Sequence, residues 1–177
     1  MSDSLLTLER LTDIGYVNIR GNAQDAAFLA AVRTVCGVDV PVEANTVNGA
    51  VTRLCWLGPD EWLLMAESSQ IAGLSSRLDE KLRGQHAAIN DISGGQVTYR
   101  VAGGAARRLL AKGCTLDLHP EKFAVGQCAQ TGLAKSGALI FPMKDGQGYE
   151  IVVRRSFSDY LWQWLLHAGR EYMIEVA

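Results

Sequence analysis

Few residues of this chain have the types and spacing that chemistry demands. Its three histidines are His86, His119 and His167, and no serine stands in a Gly-x-Ser-x-Gly elbow that would expose a nucleophile to one of them. His86 precedes a predicted strand, His119 sits before Pro120 in a loop, and His167 falls on the polar side of the last helix, so each reads as a surface residue. A zinc site would need Cys114, His119 and Cys128 to converge, and their spacings match no zinc signature. With Cys36 and Cys55 they include no Cys-x-x-Cys pair, and the four cysteines read as reduced core thiols. Neither Gly94-Gly95 nor Gly103-Gly104 is followed by the Lys and Ser or Thr of a phosphate loop, so both are expected as turns. Asp91, Asp117 and Glu150 lie on or beside predicted strands, where carboxylates usually cap or stay solvated, and only Asp117 is retained as a candidate. The expectation is a chain without catalytic residues, cofactor-binding residues or metal ligands of its own.

The elements that would have to position any site come from a chain of 177 residues, 48% apolar and 20% charged. A chain of this size buries roughly two thirds of the surface its unfolded form exposes, enough for a core without staples. Seventeen basic residues against nineteen acidic ones leave a formal charge of −2, so no summed field attracts nucleic acid. The basic pairs Arg107-Arg108 and Arg154-Arg155 are too short for a polybasic membrane tract. The start, Met1-Ser2-Asp3-Ser4-Leu5-Leu6, lacks the basic and apolar segments of a signal peptide, and no stretch reaches the length of a membrane span. A cytoplasmic protein is expected.

Periodicity predicts a strand over Gly15 to Arg20, then a helix capped by Asn22, carrying Phe28, Leu29, Val32 and Val35, and stopped by Gly37. Val51 to Leu57 and Trp62 to Met65 form a hairpin around Gly58-Pro59-Asp60-Glu61. Ile71, Leu74, Leu78 and Leu82 space out a helix that closes at Gly84. The order then repeats: strand Gln96 to Val101, a short helix with Ala106, Leu109 and Leu110 stopped by Gly113, a hairpin from Gln127 to Arg154, and a helix from near Ser156. We therefore expect an α+β fold with mostly antiparallel sheet, residues 1–177 forming a single domain of two pseudo-repeats, about 10–85 and 86–175.

The last helix has an unusually wide apolar arc. Phe157, Tyr160, Leu161, Trp164, Leu165 and Ala168 suffice for a core stripe, yet Trp162, Leu166 and Met173 lie well round from it. One reading covers that extra stripe with a loop or the N-terminal segment. The other makes Trp162 and Leu166, with Arg154 and Arg155 nearby, the anchors of a partner interface.

Five blocks in order carry a resemblance: Trp56-Leu57-Gly58-Pro59-Asp60-Glu61-Trp62-Leu63-Leu64, Asp91-Ile92-Ser93-Gly94-Gly95, residues 110–120 (LAKGCTLDLHP), Gly126-Gln127-Cys128-Ala129-Gln130-Thr131, and residues 153–162 (VRRSFSDYLW). Together they resemble the gamma subunit family of heterotetrameric sarcosine oxidase. The resemblance implies a noncatalytic structural or assembly role in a complex that oxidatively demethylates sarcosine to glycine, with alpha, beta and delta subunits as partners. It places FAD, FMN, NAD and zinc on those partners and none in this chain. It also implies a fold similar to the folate-binding domain of the glycine cleavage aminomethyltransferase.

That second family supplies an alternative, a free-standing folate-binding or aminomethyltransferase-like one-carbon module. Asp91-Ile92-Ser93 matches its Asp-Val-Ser, and Asp117 takes the place of an aspartate that assists the folate chemistry. Where the family continues Gly-Gly-x-x-Asp-Asp, this chain reads Gly137-Ala138-Leu139-Ile140-Phe141-Pro142. Pterin N–H donors buried without acceptors cost on the order of 1 to 3 kcal/mol each, and Ile140 and Phe141 supply none. Under the alternative, Asp117 is expected to line a pocket open to solvent.

Overall fold

Runs of β-branched and aromatic residues punctuated by glycine become strands, and three-to-four spacing of Leu, Val and Ile becomes helices. The computed structural model describes residues 5–177, so the reading of Met1 to Ser4 lies outside the described residues. In chain order the elements are β1 (Leu5–Leu11), β2 (Ile14–Arg20), α1 (Ala26–Cys36), β3 (Val47–Gly49), β4 (Arg53–Gly58), β5 (Glu61–Glu67), α2 (Ile71–Lys81), β6 (Ala88–Asp91) and β7 (Gln96–Ala102). They continue with α3 (Ala106–Ala111), β8 (Ala129–Leu133), β9 (Ser136–Pro142), β10 (Gly148–Arg154), α4 (Ser158–Gly169) and β11 (Met173–Val176). The fold is α+β, and every strand pair is antiparallel except β1 with β11. Two compact units divide the chain: Asp13–Gly94, and Gly95–Ala177 joined by the residues up to Thr12.

In the unit Asp13–Gly94, the sheet order is β3-β4-β5-β2-β6. One face is covered by α1 through Phe28, Val32 and Val35 and by α2 through Ile71, Leu74 and Leu78. At the centre of this layer Trp62 is 0% exposed, its ring 5.5 Å from that of Phe28. Its indole N–H donates to the Pro41 carbonyl at 2.7 Å, which pins the long connection between α1 and β3 to the core. The expected cap of α1 is corrected: Asp25 accepts the Ala27 N–H at 2.8 Å, whereas Asn22 accepts the Gln24 N–H one turn earlier. Both are good caps, and the turn preceding the helix decides between them. Gly37 does stop the helix in the left-handed conformation, with φ 68°.

The other unit has the sheet order β11-β1-β7-β10-β9-β8. Neither the edge strand β11 nor its neighbour β1 was legible in the sequence, although Leu6 and Leu8 of β1 are fully buried. Because β10 and β1 both run antiparallel to β7, and β11 runs parallel to β1, α4 is the crossover of a parallel β10-α4-β11 unit. Leu161 and Leu165 of α4 pack with Leu109 and Leu110 of α3 over Tyr99, Val101 and Ile151. Gly113 follows α3, but it is not left-handed; a Cβ there would fall 2.5 Å from the Trp164 ring. The glycine is required by close approach of an indole, not by helix termination.

Two buried tyrosines tie loops to this core. Tyr99 donates its hydroxyl proton to the Ser158 carbonyl and Tyr149 to the Leu118 carbonyl, both at 2.9 Å. Burial raises both phenol pKa values above the ordinary 10, opposed mainly by Arg10 at Tyr99 and by Arg107 at Tyr149. A raised folded pKa contributes stability that is whole below the unfolded value and is lost as pH climbs through the folded one. Denaturant midpoints should therefore fall above pH 10, and the fall should be shallower in Tyr99→Phe/Tyr149→Phe. An equally steep alkaline limb in the double variant would refute the assignment.

Candidate functional site

Asp91-Ile92-Ser93, one of the motifs singled out in the sequence, is built into the edge of a sheet. The Asp91 carboxylate accepts both the Ser93 N–H, at 2.9 Å, and the Ser93 hydroxyl, at 2.6 Å. Ser93 Oγ in turn accepts the Tyr16 N–H at 3.0 Å, and Ile92 N–H donates to the Tyr16 carbonyl at 2.9 Å. This latch continues the β2–β6 pairing beyond its last rung, Val17 opposite Asp91. The Ser93 hydroxyl, more than its N–H, holds the Asp91 carboxyl below the usual carboxylate range. Replacing Ser93 by Ala strands the half-buried Tyr16 N–H and should cost about 1 to 2 kcal/mol in urea unfolding. A depressed folded pKa gives stability that is present above the unfolded value and lost as pH falls through the folded one. The acid limb below about pH 4 should accordingly flatten in Ser93→Ala, and an unchanged limb would argue against the latch.

Asp117 lies in the loop after α3, exposed, its Oδ1 accepting the His119 N–H at 2.9 Å. It lines an open hollow of about 260 Å³ together with Arg107, Arg108, Ala111, Leu116 and His119. A second hollow of about 270 Å³ also has Arg107 in its lining, with the Gly103-Gly104 turn, Gly146 to Tyr149 and Pro120. Neither is closed, and neither is lined by the residues that stand where the pattern has its acidic pair: Phe141 is buried and Pro142 half-buried. The carboxyl-bearing positions of the transferase pattern are thus packing positions here.

The expected interface residues occupy two settings. Arg154 ends β10 and Arg155 opens the turn before α4, both exposed. Trp162 and Leu166 are half-buried and pack against the core, Trp162 stacked on Tyr99 with ring centroids 5.3 Å apart and planes at 25°. The aromatic surface lies elsewhere on the same segment, with Phe157 and Tyr160 each 40% exposed. The sequence stripe included both because it was centred between Tyr160 and Leu161 and carried back through Phe157, which lies in the turn before the helix. The helix begins at Ser158, and its buried line is Ser158, Leu161, Leu165 and Gly169.

All four cysteines carry thiols; burial pushes that of Cys36 up to about 11 against the lowering influence of Arg77, which makes it unreactive at neutral pH. Among the described residues no group of three or more His, Cys, Asp or Glu side chains is placed to hold a metal ion, and no helix is long and apolar enough to cross a membrane.

Comparison with known proteins adds what these residues alone do not carry. A family model described as the sarcosine oxidase gamma subunit family matches residues 20–171. A curated relative, the sarcosine oxidase subunit gamma of Corynebacterium sp. (strain U-96), is 33% identical over 163 residues, spanning 91% of this chain and 76% of the relative. A chain in the solved structure of heterotetrameric sarcosine oxidase from Corynebacterium sp. U-96, in complex with pyrrole 2-carboxylate, superposes with a TM-score of 0.88. It is 31% identical, and the alignment covers 97% of this chain and 88% of that one. Aminomethyltransferase T of the glycine cleavage system from Bartonella henselae shares the fold, with a TM-score of 0.67 at 14% identity over 97% of this chain and 47% of that one.

Proposed function

We propose that this chain, which belongs to the sarcosine oxidase gamma subunit family, is a noncatalytic assembly subunit of a heterotetrameric sarcosine oxidase that demethylates sarcosine oxidatively to glycine. The observation that carries the reading is agreement in sequence and fold over 97% of the chain with a chain of such a complex. Its partners are the alpha, beta and delta subunits, which hold FAD, FMN, NAD and zinc, and the complex works in the cytoplasm. Apolar Phe141 and Pro142, standing where the transferase pattern has its acidic pair, support a role for the transferase-like fold as scaffold and not as a folate site. Arg154 and Arg155, with the exposed parts of Trp162 and Leu166, form one partner surface in this reading. The two units are pseudo-repeats of the strand–helix–strand–strand–helix unit expected from the sequence, each with one further strand between its helices and one after the second. Support comes from their element order: β2-α1-β3-β4-β5-α2-β6 in one, and β7-α3-β8-β9-β10-α4-β11 in the other once β1 is set aside.

Coexpression with the large subunits encoded beside it, followed by size exclusion with absorbance read at the flavin band, tests the assignment. Co-elution with a yellow, sarcosine-oxidising species is expected. A colourless peak of this chain alone, with the large subunits fully active without it, would overturn it.

A further inference from the structure

We infer that the groove along α3, centred on Arg107, is the docking site for an extended acidic segment of a partner subunit; the inference rests on the subunit reading above. Arg107 is exposed and lines both hollows described for this unit, the one beside Leu116 and His119 and the one beside Gly103 and Gln147. Each hollow, at about 260 to 270 Å³, is smaller than the roughly 300 to 1,000 Å³ of a site that encloses a drug-sized ligand. Two small open hollows that share Arg107 as a lining residue fit a chain in extended conformation. A carboxylate would meet Arg107, and the side chains flanking it would enter the two hollows.

Charge bookkeeping in the neighbourhood singles out this arginine. Lys112 is neutralised by Glu171 at 2.6 Å and also reaches the Ala168 carbonyl, and Arg108 lies over the Tyr172 ring at 5.8 Å. Arg107 has no carboxylate partner among the described residues. Asp117, the carboxylate that lines the groove, turns Oδ1 toward the His119 N–H of its own loop. An acidic partner is therefore the complementary one, since a guanidinium fork grips a carboxylate through paired N–H donors. The walls are already rigid: Leu118 is buried with its carbonyl held by Tyr149, and Tyr149 stacks on Phe123 with planes 4° apart. Little ordering is left to be done on binding.

The test uses the coexpressed complex. Arg107→Glu should weaken association at least about tenfold while leaving the melting temperature of the chain unchanged, and Arg107→Lys should fall between it and wild type. Hydrogen exchange over residues 103–108, 116–120 and 146–149 should slow in the complex relative to the isolated chain. Wild-type affinity in Arg107→Glu, or no protection of those segments, would sink the inference while leaving the subunit reading intact. If the isolated chain instead binds glutarate through Arg107 and assembles normally as Arg107→Glu, the groove takes a small carboxylate and the docking inference fails. Should the wild-type chain not co-elute with the large subunits at all, both readings fall together.

Discussion

Trp62→Ala should destabilise the unit Asp13–Gly94 by about 4 to 5 kcal/mol, the largest loss expected of any single substitution in this half of the chain. The ring is 0% exposed and packs on Phe28, so its removal leaves a cavity between the sheet and α1 that a close-packed layer cannot collapse to fill. A second cost is local: the Pro41 carbonyl loses its 2.7 Å donor inside the protein. Trp62→Phe separates the two. It keeps most of the packing and loses the N–H, so it should cost about 1 to 2 kcal/mol and fall mainly on the connection that Pro41 belongs to. Urea unfolding by circular dichroism measures the totals, and proteolysis between residues 38 and 46 reads the loop. Equal losses for Trp62→Phe and Trp62→Ala would mean that the hydrogen bond, not the cavity, dominates. Faster loop cleavage in Trp62→Ala only, with Trp62→Phe like wild type, would remove Trp62 as the tether.

Both partners of this contact are in the sequence, but only one was legible there. Trp62 opens an unbroken apolar run beside a Gly-Pro-Asp turn, and local pattern is enough to place it. Its acceptor lies 21 residues earlier, in a stretch with no period, and no local signal announces a carbonyl that a distant indole will need. The same divide runs through the rest of the fold. Most strands and helices whose neighbours lie close in the chain were placed within a few residues, although the short β3, which pairs with the adjacent β4, was not. The strands β1 and β11, which pair with each other across almost the whole length of the chain, were not.

For the candidate sites the divide is sharper. Asp91-Ile92-Ser93 is recognisable as a motif, but only the geometry shows that its hydroxyl and carboxylate are spent on the Tyr16 N–H. The wide apolar arc of α4 was correctly seen as too wide for one buried stripe, and the ring of Tyr99 beneath Trp162 explains part of that width. Phe157 lies in the turn before the helix, and Tyr160 stands about 100° back from Leu161, on the side away from the buried line of Ser158, Leu161, Leu165 and Gly169; the stripe was centred on the wrong side of Leu161. In the sequence Arg107 shows only as half of the basic pair Arg107-Arg108, because a groove is made by what stands beside a residue and not by what precedes it.

Arg100→Met is expected to cost about 3 kcal/mol, and the reason is what it leaves behind. Arg100 in β7 stands opposite Glu9 of β1 on one side and Glu150 of β10 on the other, donating at 2.7 Å and 3.0 Å. Burial alone would lower its pKa, but the hydrogen bond and charge of Glu150, then of Glu9, outweigh that and raise it, so the cation is secure. The two carboxylates differ. The Glu9 side chain is 31% exposed and can rehydrate when the guanidinium goes, whereas that of Glu150 is 7% exposed and cannot. The penalty belongs to Glu150, and the arginine's own 32% exposure places it at the low end of the 3 to 5 kcal/mol seen when one member of a buried pair is removed. Replacing both ends should undo most of it. Arg100→Met/Glu150→Met removes the buried carboxylate together with the guanidinium, and with it the Arg100 Nε, which is buried without a hydrogen-bond partner. The double variant is expected within about 1 kcal/mol of wild type by urea unfolding. A double variant as unstable as Arg100→Met would show that the sheet depends on the ion pair itself. That result would make the three-strand charge row a requirement of the fold and not a tolerated cost.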